Sequence, residues 1–193
     1  MTNSRGFANI WLEKEKGEVL MKTLIVVDMQ NDFIDGALGT KEAQKIVDNV
    51  RHKIMEYVHS GDRIVFTRDS HFEDYLNTNE GKHLPVKHCI MGTDGWNIPY
   101  GIDIESYPHI NKLNFGYTHW DEEDCLKDCD EIELVGLCTD ICVVSNALIL
   151  KAMFPEINIS VDASCCAGVT PETHNAALLT MKMCQIEVTN MEG

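Results

Sequence analysis

Thr23-Leu24-Ile25-Val26-Val27-Asp28 is a short, largely apolar run that ends in a carboxylate. Runs of this kind are typical of strands that are buried on both faces of a parallel sheet. A helical period follows, because Lys41–Ser60 has apolar residues three and four positions apart. Gly61 then stands where a glycine commonly ends a helix. A strand followed by a helix is the repeating unit of an α/β fold.

The same alternation continues to the end of the sequence. The further predicted strands are Arg63–Thr67, His109–Leu113, Glu131–Val135, Ile157–Val161 and Ile186–Thr189. The further predicted helices are Cys142–Met153 and Pro171–Cys184. Residues 70–108 show no sustained period, and connections of that length are usually functional. The alternation predicts a three-layer, doubly wound α/β domain with a mostly parallel six-stranded sheet in a Rossmann-like order.

Composition narrows the functional class. The 193 residues are 44% hydrophobic and 24% charged, which are values of a single globular domain. No apolar run reaches the roughly 18 residues of a membrane span. The net charge of −15, from 16 basic and 31 acidic residues, argues against a nucleic-acid binder. We therefore expect a cytoplasmic protein that binds neither nucleic acid nor a membrane.

The cysteines and the first residues bear on compartment and domain limits. Eight cysteines in a chain of this size indicate reduced thiols, not a secreted disulfide scaffold. Two C-x3-C pairs, at 125/129 and 138/142, loosely resemble a zinc site, but no further ligand pair completes one. Residues 1–20 lack the apolar segment of a signal peptide. We expect them to be an extension that is not native, with Met21 as the natural start and 21–193 as the domain.

Polar side chains follow each of the first four predicted strands. Asp28 follows the first, Asp69 and His71 the second, Lys112 ends the third, and Cys142 follows the fourth. Ligands of open α/β sheets bind at the carboxyl ends of the strands, near the switch in strand order. Each residue alone has an ordinary explanation: an aspartate as a turn former, a lysine as a solvated side chain and a cysteine as part of the core. Together they place a thiol, a carboxylate and an amine at one edge of the sheet.

These residue types suit acyl transfer. Cys142 is expected near a helix N-terminus, where the helix dipole lowers the pKa of a thiol, and Lys112 favours the thiolate by charge. Asp28 can take the thiol proton and later deliver it to a leaving group. Backbone N–H groups of the turn can bind an oxyanion. The pattern predicts a cysteine nucleophile with an aspartate as its base.

Two motifs carry a resemblance to a known family. VDMQNDF at residues 27–33 and GLCTDICV at 136–143, with Lys112 between them, resemble the isochorismatase-like cysteine hydrolases over almost all of residues 21–193. The resemblance implies that Asp28, Lys112 and Cys142 form the catalytic triad. It also implies a cis peptide at Leu137–Cys138, an oxyanion hole from the N–H groups of Cys138 and Cys142, and substrate contacts at Phe33 and Leu137.

The branch of the family depends on a metal site. Isochorismatases lack the nucleophilic cysteine, carbamoyl and ureido amidohydrolases keep it without the metal, and nicotinamidases keep both. The resemblance to nicotinamidases implies four metal ligands, namely Asp69, His71, Glu80 and His88. Asp74 and His83 are alternatives for the Glu80 position, and a solvated polar loop without metal is the alternative for the whole set. Imidazole and carboxylate ligands suit zinc, with manganese or iron as alternatives.

The leading interpretation is a nicotinamidase that hydrolyses nicotinamide to nicotinic acid and ammonia through a cysteine thioester. The resemblance implies that the metal binds the pyridine nitrogen and orients the carboxamide, and that the protein is a homo-oligomer. One alternative is a metal-independent hydrolase of another small amide or ureide. A second alternative, from a different class, is a non-catalytic member that binds a ligand.

Two features depart from the nicotinamidase pattern or lie outside it. Residues 84–87 read LPVK, without the aromatic residue that usually precedes the metal histidine and packs on the pyridine ring. Phe115 and Tyr117 are candidates to replace it, although core packing is the expected role of Phe115. His174 has no evident role in this scheme.

Overall fold

Six parallel strands form one sheet in the order β3-β2-β1-β4-β5-β6 in the computed structural model, which describes residues 20–99 and 101–191. The strands are β1 Lys22–Val27, β2 Arg63–Asp69, β3 His109–Lys112, β4 Glu131–Leu137, β5 Asn158–Ala167 and β6 Glu187–Thr189. The predicted α/β fold with a parallel six-stranded sheet is confirmed. The predicted extension lies outside the described residues except for Leu20 and stays a prediction.

Helices cover both faces of the sheet and make the three layers. The helices are α1 Asn31–Ile34, α2 Lys41–Ser60, α3 Asn79–His83, α4 Val144–Met153 and α5 Pro171–Met183. Side chains of α1 and α2 pack on one face, and side chains of α4 and α5 pack on the other. The Thr40 side chain caps the start of α2, and Gly61 ends it with a φ of 75°. None of the helices in the described ranges is long and apolar enough to cross a membrane.

The central strand β1 is apolar throughout because both of its faces are covered. Leu24 and Val26 face the α2 layer, whereas Ile25 and Val27 face the layer of α4 and α5. All four side chains are fully buried. Burial of such a side chain stabilises the fold by about 1.5–3 kcal/mol. The two-sided core therefore explains why β1 reads as a continuous apolar run and not as an alternating one.

The main differences from the predicted boundaries lie in β5 and α4. β5 continues from the predicted Val161 to Ala167, through a run of small residues and cysteines with little strand signal. Thr139–Val143 forms a π-helical turn, so α4 starts at Val144 and not at Cys142. Residues 70–108 contain α3 and short 3-10 turns, in keeping with the missing period.

The sheet has its switch in strand order between β1 and β4. The chain runs outward from β1 to β2 and β3, then returns to β4 on the other side of β1. Gly136 of β4 pairs with Val27 at this edge, with a φ of 117°. A Cβ atom there would lie 2.1 Å from the Val27 carbonyl oxygen, so the close approach of the strands requires glycine. The crevice expected from the topology therefore opens beyond Val27 and Gly136.

Candidate active site and metal site

Three of the predicted site residues meet at this crevice. The Lys112 Nζ atom lies 2.6 Å from Asp28 Oδ2 and 3.4 Å from Cys142 Sγ. It also lies 3.3 Å from Asp69 Oδ1. All four side chains are buried, so solvent and salt screen these contacts weakly. The structure thus brings the predicted nucleophile, base and cation into direct contact.

Burial sets the protonation of this cluster. Complete burial raises the pKa of the Cys142 thiol well above its usual value, and Lys112 opposes this only in part. Burial also raises the pKa of Asp28, against the opposing charge of Lys112. Burial lowers the pKa of Lys112, but the charges of Asp28, Cys142 and Asp69 outweigh it and raise that pKa overall. The expected lowering of the thiol pKa is therefore wrong, because Cys142 is buried inside a turn and not exposed at a helix end.

Thr67 holds the carboxylate of Asp28. Its hydroxyl donates to Asp28 Oδ1 at 2.7 Å, and the Asp28 N–H donates to the Thr67 carbonyl oxygen at 3.2 Å. Asp28 has a φ of 47°, a left-handed conformation that aspartate tolerates better than most residues. Thr67 was not predicted as a site residue, although a hydroxyl residue at the end of the apolar run of β2 was a signal for it.

Asn146 joins the turn that carries Cys142 to the segment after β3. Its Nδ2 group donates to the carbonyl oxygens of Cys142 at 2.8 Å and Phe115 at 3.1 Å. Its Oδ1 atom accepts from the Tyr117 N–H at 2.9 Å. An amide within the largely apolar helix α4, where it is fully buried, was a signal for such a role. Asn146 therefore fixes Cys142 relative to Phe115.

The turn that carries Cys142 begins with the cis peptide Leu137–Cys138. The Cys138 carbonyl oxygen accepts from the N–H groups of Ile141 at 3.1 Å and Val143 at 3.0 Å. Burial, with the nearby charges of Asp140 and Asp28, raises the pKa of the Cys138 thiol to about 12. Cys138 therefore stays a neutral thiol on the turn that carries Cys142.

The four predicted metal ligands lie together beside the triad. Their ligand atoms lie within 4.8 Å of one another, in the cluster Asp69, His71, Glu80 and His88. The His71 Nε2 atom is 3.0 Å from Asp69 Oδ2 and 3.6 Å from Glu80 Oε1. The His88 Nε2 atom is 3.6 Å from Asp69 Oδ2 and 3.7 Å from Glu80 Oε1. Two imidazoles and two carboxylates form a possible site for zinc, manganese or iron.

Neighbouring groups orient these ligands. The Nδ1 atom of His88 lies 2.8 Å from the Val86 carbonyl oxygen, a hydrogen bond that directs the lone pair of Nε2 toward the cluster. Burial lowers the pKa of His88, but hydrogen bonds with Asp69 and Val86 outweigh it and raise that pKa. The buried Tyr75 ring packs on both histidines, with centroid distances of 4.6 Å to His71 and 5.0 Å to His88.

Gln30 holds the backbone of Asp69. Its Oε1 atom accepts from the Asp69 N–H at 2.7 Å, and its Nε2 group donates to the Asp69 carbonyl oxygen at 2.9 Å. The same Nε2 group donates to the Trp96 carbonyl oxygen at 2.9 Å. Gln30 and Tyr75 are therefore supporting residues that were not predicted, although Gln30 lies inside the VDMQNDF motif.

One cavity of about 340 Å³ opens onto both Cys142 and three members of the metal-ligand cluster. Its lining residues are Phe33, Leu38, Thr40, Asp69, Glu80, His83, Leu84, His88, Phe115, Cys138, Ile141, Cys142 and Val169. The predicted substrate contact Phe33 is among them, and its ring packs on His88 at 5.5 Å. Leu137, the other predicted contact, is not. Its side chain points into the core on the α2 face, because side chains alternate along β4.

The segment before His88, where nicotinamidases usually carry an aromatic residue, contributes an aliphatic side chain to the cavity. This side chain is Leu84, and Phe115 also lines the cavity. Phe115 is 45% exposed, so its expected role in core packing is wrong. Tyr117 instead packs on Trp120 at 5.1 Å and donates its hydroxyl to Glu123 at 2.6 Å. Of the two candidates, Phe115 is the aromatic residue that faces the cavity.

Comparison with known proteins places the chain in a family. The isochorismatase domain model matches residues 22–193. The chain belongs to the isochorismatase domain family. The nicotinamidase/pyrazinamidase of Mycobacterium tuberculosis is 26% identical over 188 residues, which cover 87% of this chain and 98% of that protein. The family and this relative indicate a hydrolytic amidase enzyme.

Solved structures of family members have the same fold. The pyrazinamidase of Pyrococcus horikoshii, solved in complex with zinc, aligns with a TM-score of 0.76 at 28% identity, over 88% of this chain and 99% of that one. N-carbamoylsarcosine amidase from Thermoplasma acidophilum aligns with a TM-score of 0.73 at 27% identity, over 90% of this chain and 100% of that one. Members with different amide substrates therefore share this architecture, and the site must distinguish them.

Proposed function

We propose that this isochorismatase-family protein is a nicotinamidase, which hydrolyses nicotinamide to nicotinic acid and ammonia. The observation that carries the proposal is that Cys142 and the predicted metal ligands Asp69, Glu80 and His88 line the same cavity. A substrate in that cavity can reach the thiol and a bound metal at the same time. A ring nitrogen and a carboxamide on one small aromatic molecule match these two sites.

The proposed reaction uses Asp28 as base and Cys142 as nucleophile. Asp28 takes the thiol proton as the sulfur attacks the carboxamide carbon, and it then gives that proton to the departing ammonia. Asp28 next deprotonates the water that hydrolyses the thioester. Lys112, 3.4 Å from the sulfur, stabilises the developing thiolate. The N–H groups of Cys138 and Cys142 are the proposed donors to the oxyanion.

The donor set of the cluster fits a divalent metal, and zinc suits two imidazoles with two carboxylates best. Asp69, His71, Glu80 and His88 would hold the ion. When bound, the metal supplies a Lewis-acid site for the pyridine nitrogen and so orients the ring. Phe33 packs beside His88 and would contact one face of that ring, while Leu84 and Phe115 would close the cavity around it. Orientation of this kind is worth several kcal/mol of barrier.

The decisive experiment measures ammonia released from nicotinamide by the purified protein before and after treatment with EDTA. Activity should disappear on chelation and return with added zinc, manganese or iron, and elemental analysis should find about one metal ion per chain. His88→Ala should lose both metal and activity. Cys142→Ala should lose activity while it keeps its metal, because its sulfur does not belong to the ligand set. Turnover in Cys142→Ala would contradict the thioester mechanism.

A second candidate function is favoured by the aliphatic wall at Leu84. A metal-independent hydrolase of another small amide or ureide needs no aromatic contact there, and N-carbamoylsarcosine amidase has the same fold. The same assay with N-carbamoylsarcosine tests this candidate. Ammonia released from that substrate by the EDTA-treated protein, with none released from nicotinamide, would favour it.

A further inference from the structure

His174 contacts the turn that carries the nucleophile. It lies in the first half of α5, and its Nδ1 atom is 2.8 Å from the hydroxyl oxygen of Thr139. Thr139 is fully buried, and His174 is partly buried. Burial lowers the pKa of His174, against a smaller opposing effect of Asp140, so the imidazole is neutral near pH 7. A neutral imidazole can accept the Thr139 hydroxyl proton at Nδ1.

A second contact joins the same turn to the same part of the fold. The carboxylate of Asp140 accepts from the Val169 N–H, with distances of 3.1 and 3.2 Å to its two oxygens. Val169 lies directly before Thr170, which caps α5. Two consecutive side chains of the turn are therefore bound to the start of α5. Cys138 precedes them and Cys142 follows them, so the two proposed oxyanion donors flank this anchor.

His174 is also open to a second cavity. This cavity, about 530 Å³, lies between α2 and α5, and its lining includes Gly168, Thr170, His174 and Asn175. Val169, between Gly168 and Thr170, lines the catalytic cavity instead. The segment Gly168–Thr170 is therefore a wall between the two cavities. A small solute in the second cavity can reach the imidazole position without entering the catalytic cavity.

We infer that His174 is a positioning residue for the proposed amidase reaction: through Thr139 it holds the turn that presents the Cys142 sulfur and the oxyanion donors. The inference rests on the proposed function for its kinetic test. Because His174 does not line the catalytic cavity, its loss should leave substrate binding intact and misplace only the groups that act in the transition state. The signature is a fall in kcat with little change in KM.

The test compares three substitutions at one position. His174→Ala should lower kcat about tenfold, the effect of one lost hydrogen bond of about 1.4 kcal/mol. KM should stay within about twofold. His174→Asn places a polar atom where Nδ1 was and should recover most of kcat, whereas His174→Gln places its polar group one bond further and should not. Asn175→Ala, in the same cavity lining but without a hydrogen bond to the turn among the described residues, is the matched control and should behave as wild type.

Two further measurements separate positioning from a general loss of stability. Added imidazole should restore kcat in His174→Ala, because the second cavity admits it to the vacated position, and should do nothing in Thr139→Val. The variant with both changes should be no slower than either single variant, since both remove the same hydrogen bond. Full kcat in His174→Ala, or equal losses in His174→Asn and His174→Ala, would overturn the inference.

Hydrogen exchange provides a readout that needs no substrate. In His174→Ala, amide exchange should be faster than in wild type in the peptide that spans Thr139–Val143 and unchanged in β1 and β2. In His174→Asn, exchange in that peptide should be close to the wild-type rate. This result together with a wild-type protein inactive on nicotinamide would refute the proposed function and support the positioning role. Unchanged exchange at the turn, in a protein active on nicotinamide, would refute the positioning role alone.

Discussion

Replacing Lys112 by methionine should destabilise the protein and abolish activity by the same physical cause. Methionine has about the length of the lysine stem, so packing is preserved while the ammonium group is lost. The Asp28 carboxylate, fully buried and 2.6 Å from Lys112 Nζ, then has no cation beside it. A buried carboxylate without a counter-charge is strongly disfavoured, so Asp28 binds a proton and cannot serve as a base.

The size of the expected stability loss follows from the distance between the two charges. At an effective dielectric constant of about 20, unit charges 2.6 Å apart attract by about 6 kcal/mol. The desolvation of the lysine offsets part of this attraction, because its pKa is lowered by burial before the neighbouring charges raise it. Removal of one partner from a buried pair costs about 3–5 kcal/mol. We expect a loss of that size in the free energy of unfolding.

Urea denaturation followed by tryptophan fluorescence, at one fixed zinc concentration, measures this loss. The matched variant is Lys112→Met with Asp28→Asn, which removes both charges and keeps an acceptor for the Thr67 hydroxyl. It should regain most of the lost stability and stay inactive, because the base is gone. A single variant as stable as wild type, or a double variant no more stable than the single one, would refute the reasoning.

Three further predictions test the metal site, the cavity wall and a distant ion pair. Glu80→Ala should lower zinc affinity about tenfold or more, as measured by competition with a chelator, whereas Asp74→Ala, outside the ligand cluster, should not. Phe115→Ala should raise KM for nicotinamide roughly two- to tenfold through a lost ring contact, while Tyr117→Phe, whose hydroxyl bonds Glu123, leaves KM unchanged. Asp162→Asn should lower the free energy of unfolding by about 1–3 kcal/mol at pH 7, since Asp162 pairs with Lys53 at 2.9 Å. Burial raises the pKa of Asp162, but hydrogen bonds from Ser164, Lys53 and Asn190 outweigh it and lower that pKa in the folded state. The stability difference should therefore be full above about pH 4, the unfolded value, and vanish as pH falls through the lower folded pKa; a pH-independent difference would contradict this.

The fold could be predicted because local patterns and topology agree. The apolar run of β1 indicates that the strand is buried on both faces. Because ligands bind at the carboxyl ends of parallel strands, the sequence alone predicts that Asp28, Lys112 and Cys142 lie at one edge of the sheet. β5 was underpredicted because its last residues, through Cys165 and Cys166, carry little strand propensity. Pairing with β4 holds them extended, and that pairing joins residues about 30 positions apart.

The supporting residues could not be predicted, because their partners are distant in sequence. Gln30 meets Asp69 across 39 positions, and Thr139 meets His174 across 35. The periodicity of apolar residues carries no information about contacts between residues so far apart in the sequence. The direction of the thiol pKa failed for a related reason. A helix start and a nearby lysine are readable in a sequence, but the complete burial of Cys142 depends on the packing of the whole crevice.

The raised thiol pKa suits an amidase better than the lowered one expected from the sequence. An amide nitrogen is a poor leaving group until it is protonated and can depart as neutral ammonia. If Cys142 were a thiolate and Asp28 a carboxylate at rest, the pair would hold no proton to give to the leaving nitrogen. Because burial keeps the thiol protonated, attack in the proposed reaction transfers that proton to Asp28, whose own pKa is raised. The base then becomes the acid that the next step needs, while Lys112 lowers the cost of the transient thiolate.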